Sequence, residues 1–142
     1  MGIVMDIGSE VRTIKRGDRV VASYDFCDGT CEFCLKGLDS ACRQGGLWGF
    51  GHEGGQAEAI RARFADATLV VVPPSVEGDE AMLKAILPLT DVMAAGHHAA
   101  LTAGVRPGGS VVVIGDGAVG LCGTLAARRL GAERIIVLVL LC

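Results

Sequence analysis

The sequence predicts an α/β protein: a β-rich N-terminal part, then linking helices and a strand–helix–strand unit. Three observations carry this. Short β-branched runs closed by Gly or Pro recur through residues 1–74. From residue 75 the apolar spacing changes to that of helices. A short apolar strand, a glycine loop, a helix and a second apolar strand then follow in order from Ser110, which is a βαβ order.

"GDRVVASY" opens on a Gly-Asp turn and places a strand over Val20–Tyr24. "GGQAEAIRA", residues 54–62, alternates small or apolar with polar residues and predicts a half-buried strand. "DATLVVVPP" predicts a short strand ended by Pro73 and Pro74. Ser75 and Asp79 are candidate N-caps of the helices that follow. "TDVMAAGHHAALTAG" predicts a helix capped by Thr90 or Asp91 and ended by Gly104, with His97 and His98 on it. "SVVVIG" is an apolar strand of the parallel-sheet kind, "AVGLCGTLAARRLGA" a helix, and "ERIIVLVLL" a second apolar strand. The boundary between the two parts falls near 74–90, and we divide the chain at 1–80 and 81–142.

Composition excludes several functions. The formal net charge is −3, and Lys15-Arg16-Arg19 and Arg128-Arg129 are the only basic clusters, so a nucleic-acid partner is not expected. The most apolar stretch, 135–142, is too short to cross a bilayer as a helix, and residues 1–5 do not make a signal peptide. A cytoplasmic protein with reduced thiols is expected, and there a cysteine cluster is more often metal-binding than disulfide-bonded.

Four of the six cysteines lie in "FCDGTCEFCLKGLDSAC", residues 26–42. Zinc takes thiolate and carboxylate donors, so Cys27, Asp28, Cys31, Cys34 and Cys42 are all candidate ligands of one tetrahedral ion. Four free thiols in an empty loop would leave the loop with little to bury. A redox pair at Cys31 and Cys34 is weaker, because that C-x2-C does not open a helix.

"VVVIGDGAVG" carries Gly115, Gly117 and Gly120, a G-x-G-x-x-G pattern between an apolar strand and a helix. In that context Gly115 makes the tight turn, Gly117 admits a pyrophosphate, and Gly120 lets the helix pack closely. The first N–H groups of the helix, over Ala118 and Val119, face the phosphates. The acidic residue that would hold the ribose is missing, since Val139 stands about where it belongs.

Together these segments resemble the zinc-containing medium-chain dehydrogenases, the alcohol-dehydrogenase-like family, from Met1 to about Ile136. "IGSEVRTIKRGDRVV" and "GGQAEAIRARFADATLVVVP" resemble its GroES-like β-barrel domain. "LPLTDVMAAGHHAAL" resembles the segment between its domains, and "GDGAVGLCGTLAARRLGAERII" the start of its Rossmann coenzyme domain. The resemblance implies a partial GroES-like barrel with a zinc lobe at 26–46, followed by the first βαβ of a Rossmann domain. It implies Zn²⁺ and NAD or NADP as cofactors and an alcohol, aldehyde or ketone as substrate. The family's structural-zinc lobe reads C-x2-C-x2-C-x7-C. Here Cys31, Cys34 and Cys42 match, and the first position falls on Asp28, with Cys27 reachable only by a one-residue bulge. Asp91 matches the third ligand of the catalytic zinc. The family's other two catalytic ligands fall upstream of Met1 on this register, so the chain is expected to be truncated at both ends and, alone, to turn over no alcohol. The resemblance thus implies a fragment of an oxidoreductase that transfers hydride between an alcohol, aldehyde or ketone and NAD(P); the alternative is an inactive zinc-binding piece acting structurally or by association, with homo-oligomers a further expectation. "GHEGG" at 51–55 mimics the family's zinc-binding Gly-His-Glu but follows the lobe, so His52 and Glu53 are expected to be loop residues.

Overall fold

A computed structural model describes residues 1–139 of the 142. The chain forms two compact units, Met1–Leu87 and Pro88–Cys142.

In the first unit, β1 (Gly2–Ile3), β2 (Arg19–Ala22), β3 (Asp25–Phe26) and β4 (Gly46–Leu47) precede helix α1 (Ala65–Thr68), strand β5 (Leu69–Val71), and helices α2 (Pro74–Glu77) and α3 (Glu80–Ile86). β2 pairs antiparallel with β1 and with β5, placing Val20 opposite both Gly2 and Val71. β3 and β4 form a second antiparallel ladder, Phe26 opposite Gly46. These two strands start and end the cysteine-bearing loop, so the ladder brings its ends together. Ile14, Val20, Phe26 and Val72 are the buried apolar residues of this unit.

Two expectations need correction. Residues 54–62 form no strand. Their alternation is real, but a strand needs a ladder partner, and none pairs with them among the described residues; Gly55, Ala57, Ala59 and Ile60 instead line a cleft of about 630 Å³ with residues of β1 and β2. Ser75 lies inside α2, where Pro74 at the first helical turn fixes the start. Asp79 is the cap that forms, its carboxylate accepting from the Met82 N–H at 3.0 Å.

The second unit begins in a 3₁₀ turn that runs to Thr90, followed by α4 (Val92–Thr102), β6 (Ser110–Ile114), α5 (Ala118–Arg129) and β7 (Arg134–Leu138). β6 and β7 are parallel, with Val111 beside Ile135 and Val113 beside Val137. The strand–helix–strand order therefore closes as a βαβ unit. Val113 lies on the α5 side. Val112, Ile114, Ile136 and Leu138 point the other way and are exposed. α4 packs across α5 at its smallest residues: a Cβ on Gly96 would lie 2.5 Å from the Gly123 nitrogen. Residues 140–142, the end of the predicted last apolar run, lie outside the described residues.

Candidate functional site

The lobe is built from its loop outward. Asp28-Gly29 makes a tight turn in which Gly29 has φ +70°, a conformation that favours glycine. Oδ1 of Asp28 accepts from the N–H groups of Thr30 at 2.7 Å and Cys31 at 2.9 Å. Gln44 reaches the other oxygen at 3.3 Å. The N–H bonds, Thr30 first and then Cys31, hold the Asp28 carboxyl down at about 2. It is thus a carboxylate at every ordinary pH, although only 9 % exposed. Two 3₁₀ turns, Cys34–Lys36 and Asp39–Ala41, then bring Cys34 and Cys42 back to it.

The result is a four-donor group. One carboxylate oxygen of Asp28 and the sulfurs of Cys31, Cys34 and Cys42 lie within 4.8 Å of one another. The Cys31–Cys34 and Cys31–Cys42 sulfur distances are 3.6 and 4.0 Å. A disulfide needs about 2.05 Å. A tetrahedral ion with thiolates at ~2.3 Å needs sulfurs about 3.8 Å apart. The spacing is that of metal ligands, and the four cysteines of the loop are free thiols.

The thiols are not equivalent. The N–H groups of Cys34 and Arg43 stabilise a Cys31 thiolate and lower its pKa. Burial, then the neighbouring sulfur of Cys31, pushes Cys34 up. Cys27 is raised by burial. It stands outside the four-donor group, in a second one with Cys34 and Asp39.

The lobe rests on an aromatic cluster that no sequence motif announces. The Phe26 ring meets Trp48 and His52, each with ring centroids 5.1 Å away. His52 packs edge-on at Phe26, and a Cβ on Gly46 would lie 3.0 Å from its ring. Glu53 pairs with Arg61 at 3.0 Å and Arg63 at 3.9 Å. Neither His52 nor Glu53 joins a group of three metal donors among the described residues.

In the second unit the glycine loop separates three tasks. Gly115 has φ +105°. A Cβ on Gly120 would lie 2.1 Å from the Gly115 carbonyl oxygen, so this helix position must be glycine for the loop to close. Gly117 is different: its φ of −72° suits any residue, and an added Cβ would meet nothing within 4 Å. The open side of Gly117 lies at the start of α5, where the N–H groups over Ala118, Val119 and Gly120 have no partner in the preceding turn and the helix dipole is positive. Val139, just after β7, is 53 % exposed, and its side chain offers no acceptor to a ribose hydroxyl.

Asp91 holds the N-cap position of α4, but its side chain makes no capping bond. It belongs to no group of three metal donors among the described residues. His97 and His98 are helical; the His98 Nε2 lies 3.5 Å from the Thr102 hydroxyl. No helix among the described residues is long and apolar enough to cross a membrane.

Residues 1–74 match the alcohol dehydrogenase GroES-like domain family. A zinc-type alcohol dehydrogenase-like protein, AdhB of Bacillus subtilis, is 37 % identical over 96 % of this chain and 38 % of its own length. A glutathione-independent formaldehyde dehydrogenase of Pseudomonas aeruginosa is 36 % identical over 96 % of this chain and 36 % of its own. The solved alcohol dehydrogenase TADH of Thermus sp. ATN1 superposes with a TM-score of 0.82 at 31 % identity, over 96 % of this chain and 39 % of that one. The chain thus spans less than two fifths of the length of these two curated relatives. It belongs to the alcohol dehydrogenase GroES-like family, and a parallel βαβ unit follows the matched residues.

Proposed function

We propose that this family member is the zinc-lobe and phosphate-loop portion of a zinc-dependent oxidoreductase that transfers hydride between an alcohol, or the aldehyde or ketone, and NAD or NADP. The observation that carries the reading is the co-occurrence, in family order, of a four-donor lobe with metal spacing and a glycine loop whose middle glycine has no folding reason to be one. The names of the relatives, zinc-type alcohol and formaldehyde dehydrogenases, support the reaction class.

Each part has a separate task. Asp28, Cys31, Cys34 and Cys42 would hold the structural zinc. Bound there, the ion supplies a cross-link in place of a hydrophobic core. Asp28 does so with one face already fixed by the Thr30 and Cys31 N–H groups, which keeps it ionised and aimed. Gly115 and Gly120 close the loop, and Gly117 leaves room for the pyrophosphate of NAD(P) against the first turn of α5. Residues 1–80 then serve as the barrel part with the lobe, and 81–142 as linking helices and the start of the coenzyme domain.

The described residues do not furnish a catalytic metal site. Asp91 joins no group of three metal donors among them. Asp91 opens α4, its carbonyl accepting from the Ala95 N–H at 3.2 Å, and its proposed ligand role requires donors from elsewhere. On this reading the 142-residue chain supplies binding and support, and a non-catalytic zinc-binding role is its minimal activity.

Metal analysis of the purified chain, paired with titration by NADH fluorescence, tests the proposal. We expect tightly held zinc, lost in Cys34→Ser, together with weak coenzyme binding that Gly117→Val abolishes. Zinc retained in full by Cys34→Ser would overturn the lobe assignment. Coenzyme affinity unchanged by Gly117→Val would overturn the loop assignment.

A further inference from the structure

We infer that the lobe holds a second, open divalent-cation site fused to the first: Cys27, Cys34 and Asp39 bind a borderline-soft ion such as Zn²⁺, Co²⁺ or Cd²⁺, with the Cys34 thiolate bridging the two metals. This rests on the four-donor reading and goes beyond it, because Cys27 and Asp39 have no part in that set.

The geometry carries it. The sulfurs of Cys27 and Cys34 and a carboxylate oxygen of Asp39 lie within 4.8 Å of one another. That is the same closeness that marks the four-donor group, and Cys34 is the only residue the two groups share. A thiolate sulfur has more than one lone pair and serves two metals without displacing either. Cys27 sits immediately before Asp28, so the Asp28-Gly29 turn that aims the Asp28 carboxylate into one set turns the Cys27 side chain to the other. Asp39 opens the second 3₁₀ turn and is exposed. One donor therefore faces water, and three protein ligands leave a fourth position of a tetrahedral ion for solvent.

Charge favours the pairing. Asp28 and three thiolates bring four negative charges to one dication. A second dication brings two positive charges, and Cys27 and Asp39 match them with two negative ones, so the second site fills with no added net charge. Arg43, a guanidinium on the lobe, is already paired with Glu32 at 2.5 Å. The outer set would act as the entry station: an incoming ion meets the exposed carboxylate first, then reaches the inner set through the thiol they share.

Co²⁺ titration of the metal-free chain tests this, read by thiolate-to-cobalt charge-transfer absorption and by native mass spectrometry. We expect two equivalents, the second weaker, with the first ion's charge-transfer band shifting as the second binds. Cys27→Ser and Asp39→Asn should each lose the second equivalent and keep the first. Asp39→Asn changes an exposed residue and leaves the thiols intact, and retention of the first equivalent is its own check on folding. A single equivalent in the unaltered chain would overturn the second site and leave the first standing. Persistence of the second equivalent in both variants would mean that it binds elsewhere, and would overturn the second site equally. No equivalent at all would overturn the four-donor reading as well.

Discussion

The cysteine lobe and the glycine loop are both irregular segments at a ligand position, yet they are held in opposite ways. In the lobe, donors whose charges repel are brought within 4.8 Å of one another, and short turns, a two-residue ladder and an aromatic cluster support them. In the glycine loop the backbone closes on itself. Gly120 packs so tightly on the Gly115 carbonyl that nothing larger fits, and parallel strands flank the turn. We expect the lobe to need its ligand to fold, and the loop to be folded before its ligand arrives. Function that depends on the ligand's energy should therefore be lost with structure in the lobe and without it in the loop.

The sharpest way to break this contrast is Cys34→Ser, from which we expect the largest effect. Cys34 belongs to both donor groups, and its loss leaves the lobe with an incomplete shell. Metal content should fall to background and hydrogen exchange should rise across 26–46. Exchange across 110–138 should not change. Chelator treatment of the unaltered chain should reproduce the pattern. A lobe that keeps its protection without metal would mean the aromatic cluster alone organises it.

Gly120→Val strikes the other region. The new side chain would collide with backbone rather than with a side chain that can rotate away, so the cost should be about 3 kcal/mol or more. Thermal unfolding of the second unit should shift down while zinc content stays unchanged. Gly117→Val, in the same loop, should change stability by at most about 1 kcal/mol, because its φ is ordinary and the space beside it is open. Its effect should appear only in coenzyme titration. Equal destabilisation by the two substitutions would show that the loop, too, depends on what it binds.

Much of this contrast is legible in the residues. The cysteine spacing from Cys31 onward and the G-x-G-x-x-G context each name a chemistry, because each spacing serves that chemistry and little else. What stays illegible depends on partners far away in the chain. The alternation over 54–62 reads as a strand, but no sequence pattern states whether a ladder partner is there. The choice between Asp28 and Cys27 is open in the sequence because adjacent residues differ by one step in spacing. The Asp28-Gly29 turn signal could decide it, since an aspartate that fixes its own loop by accepting from Thr30 and Cys31 must point inward. Similarly, Phe26, Trp48 and His52 have no common period, so only the fold brings them together.

The smallest predicted effect asks whether the lobe has any anchor besides metal. Asp66, on α1, accepts from the Thr13 hydroxyl at 2.6 Å and from the N–H groups of Thr13 at 2.9 Å and Arg12 at 2.9 Å. The hydroxyl bond, then the N–H bonds, lower its pKa below the ordinary 3.8. A folded-state pKa below the unfolded one means stability that is fully present above the unfolded value and disappears as pH falls through the folded one. The window therefore lies below 3.8, and Asp66→Asn, which cannot titrate, should flatten the decline of melting temperature there and lower the melting temperature at neutral pH, where the carboxylate's contribution is fully present. The next residue, Ala67, packs against the lobe: a Cβ on Gly29 would lie 2.8 Å from the Ala67 Cβ. Loosening α1 should thus reach the Asp28-Gly29 turn only when no metal holds it. In Asp66→Asn, hydrogen exchange should quicken at 12–13 with or without zinc, and at 29–31 only after chelation. Faster exchange at 29–31 in the zinc-loaded variant would place the anchor in α1 rather than in the metal, and the contrast between lobe and loop would then be one of degree.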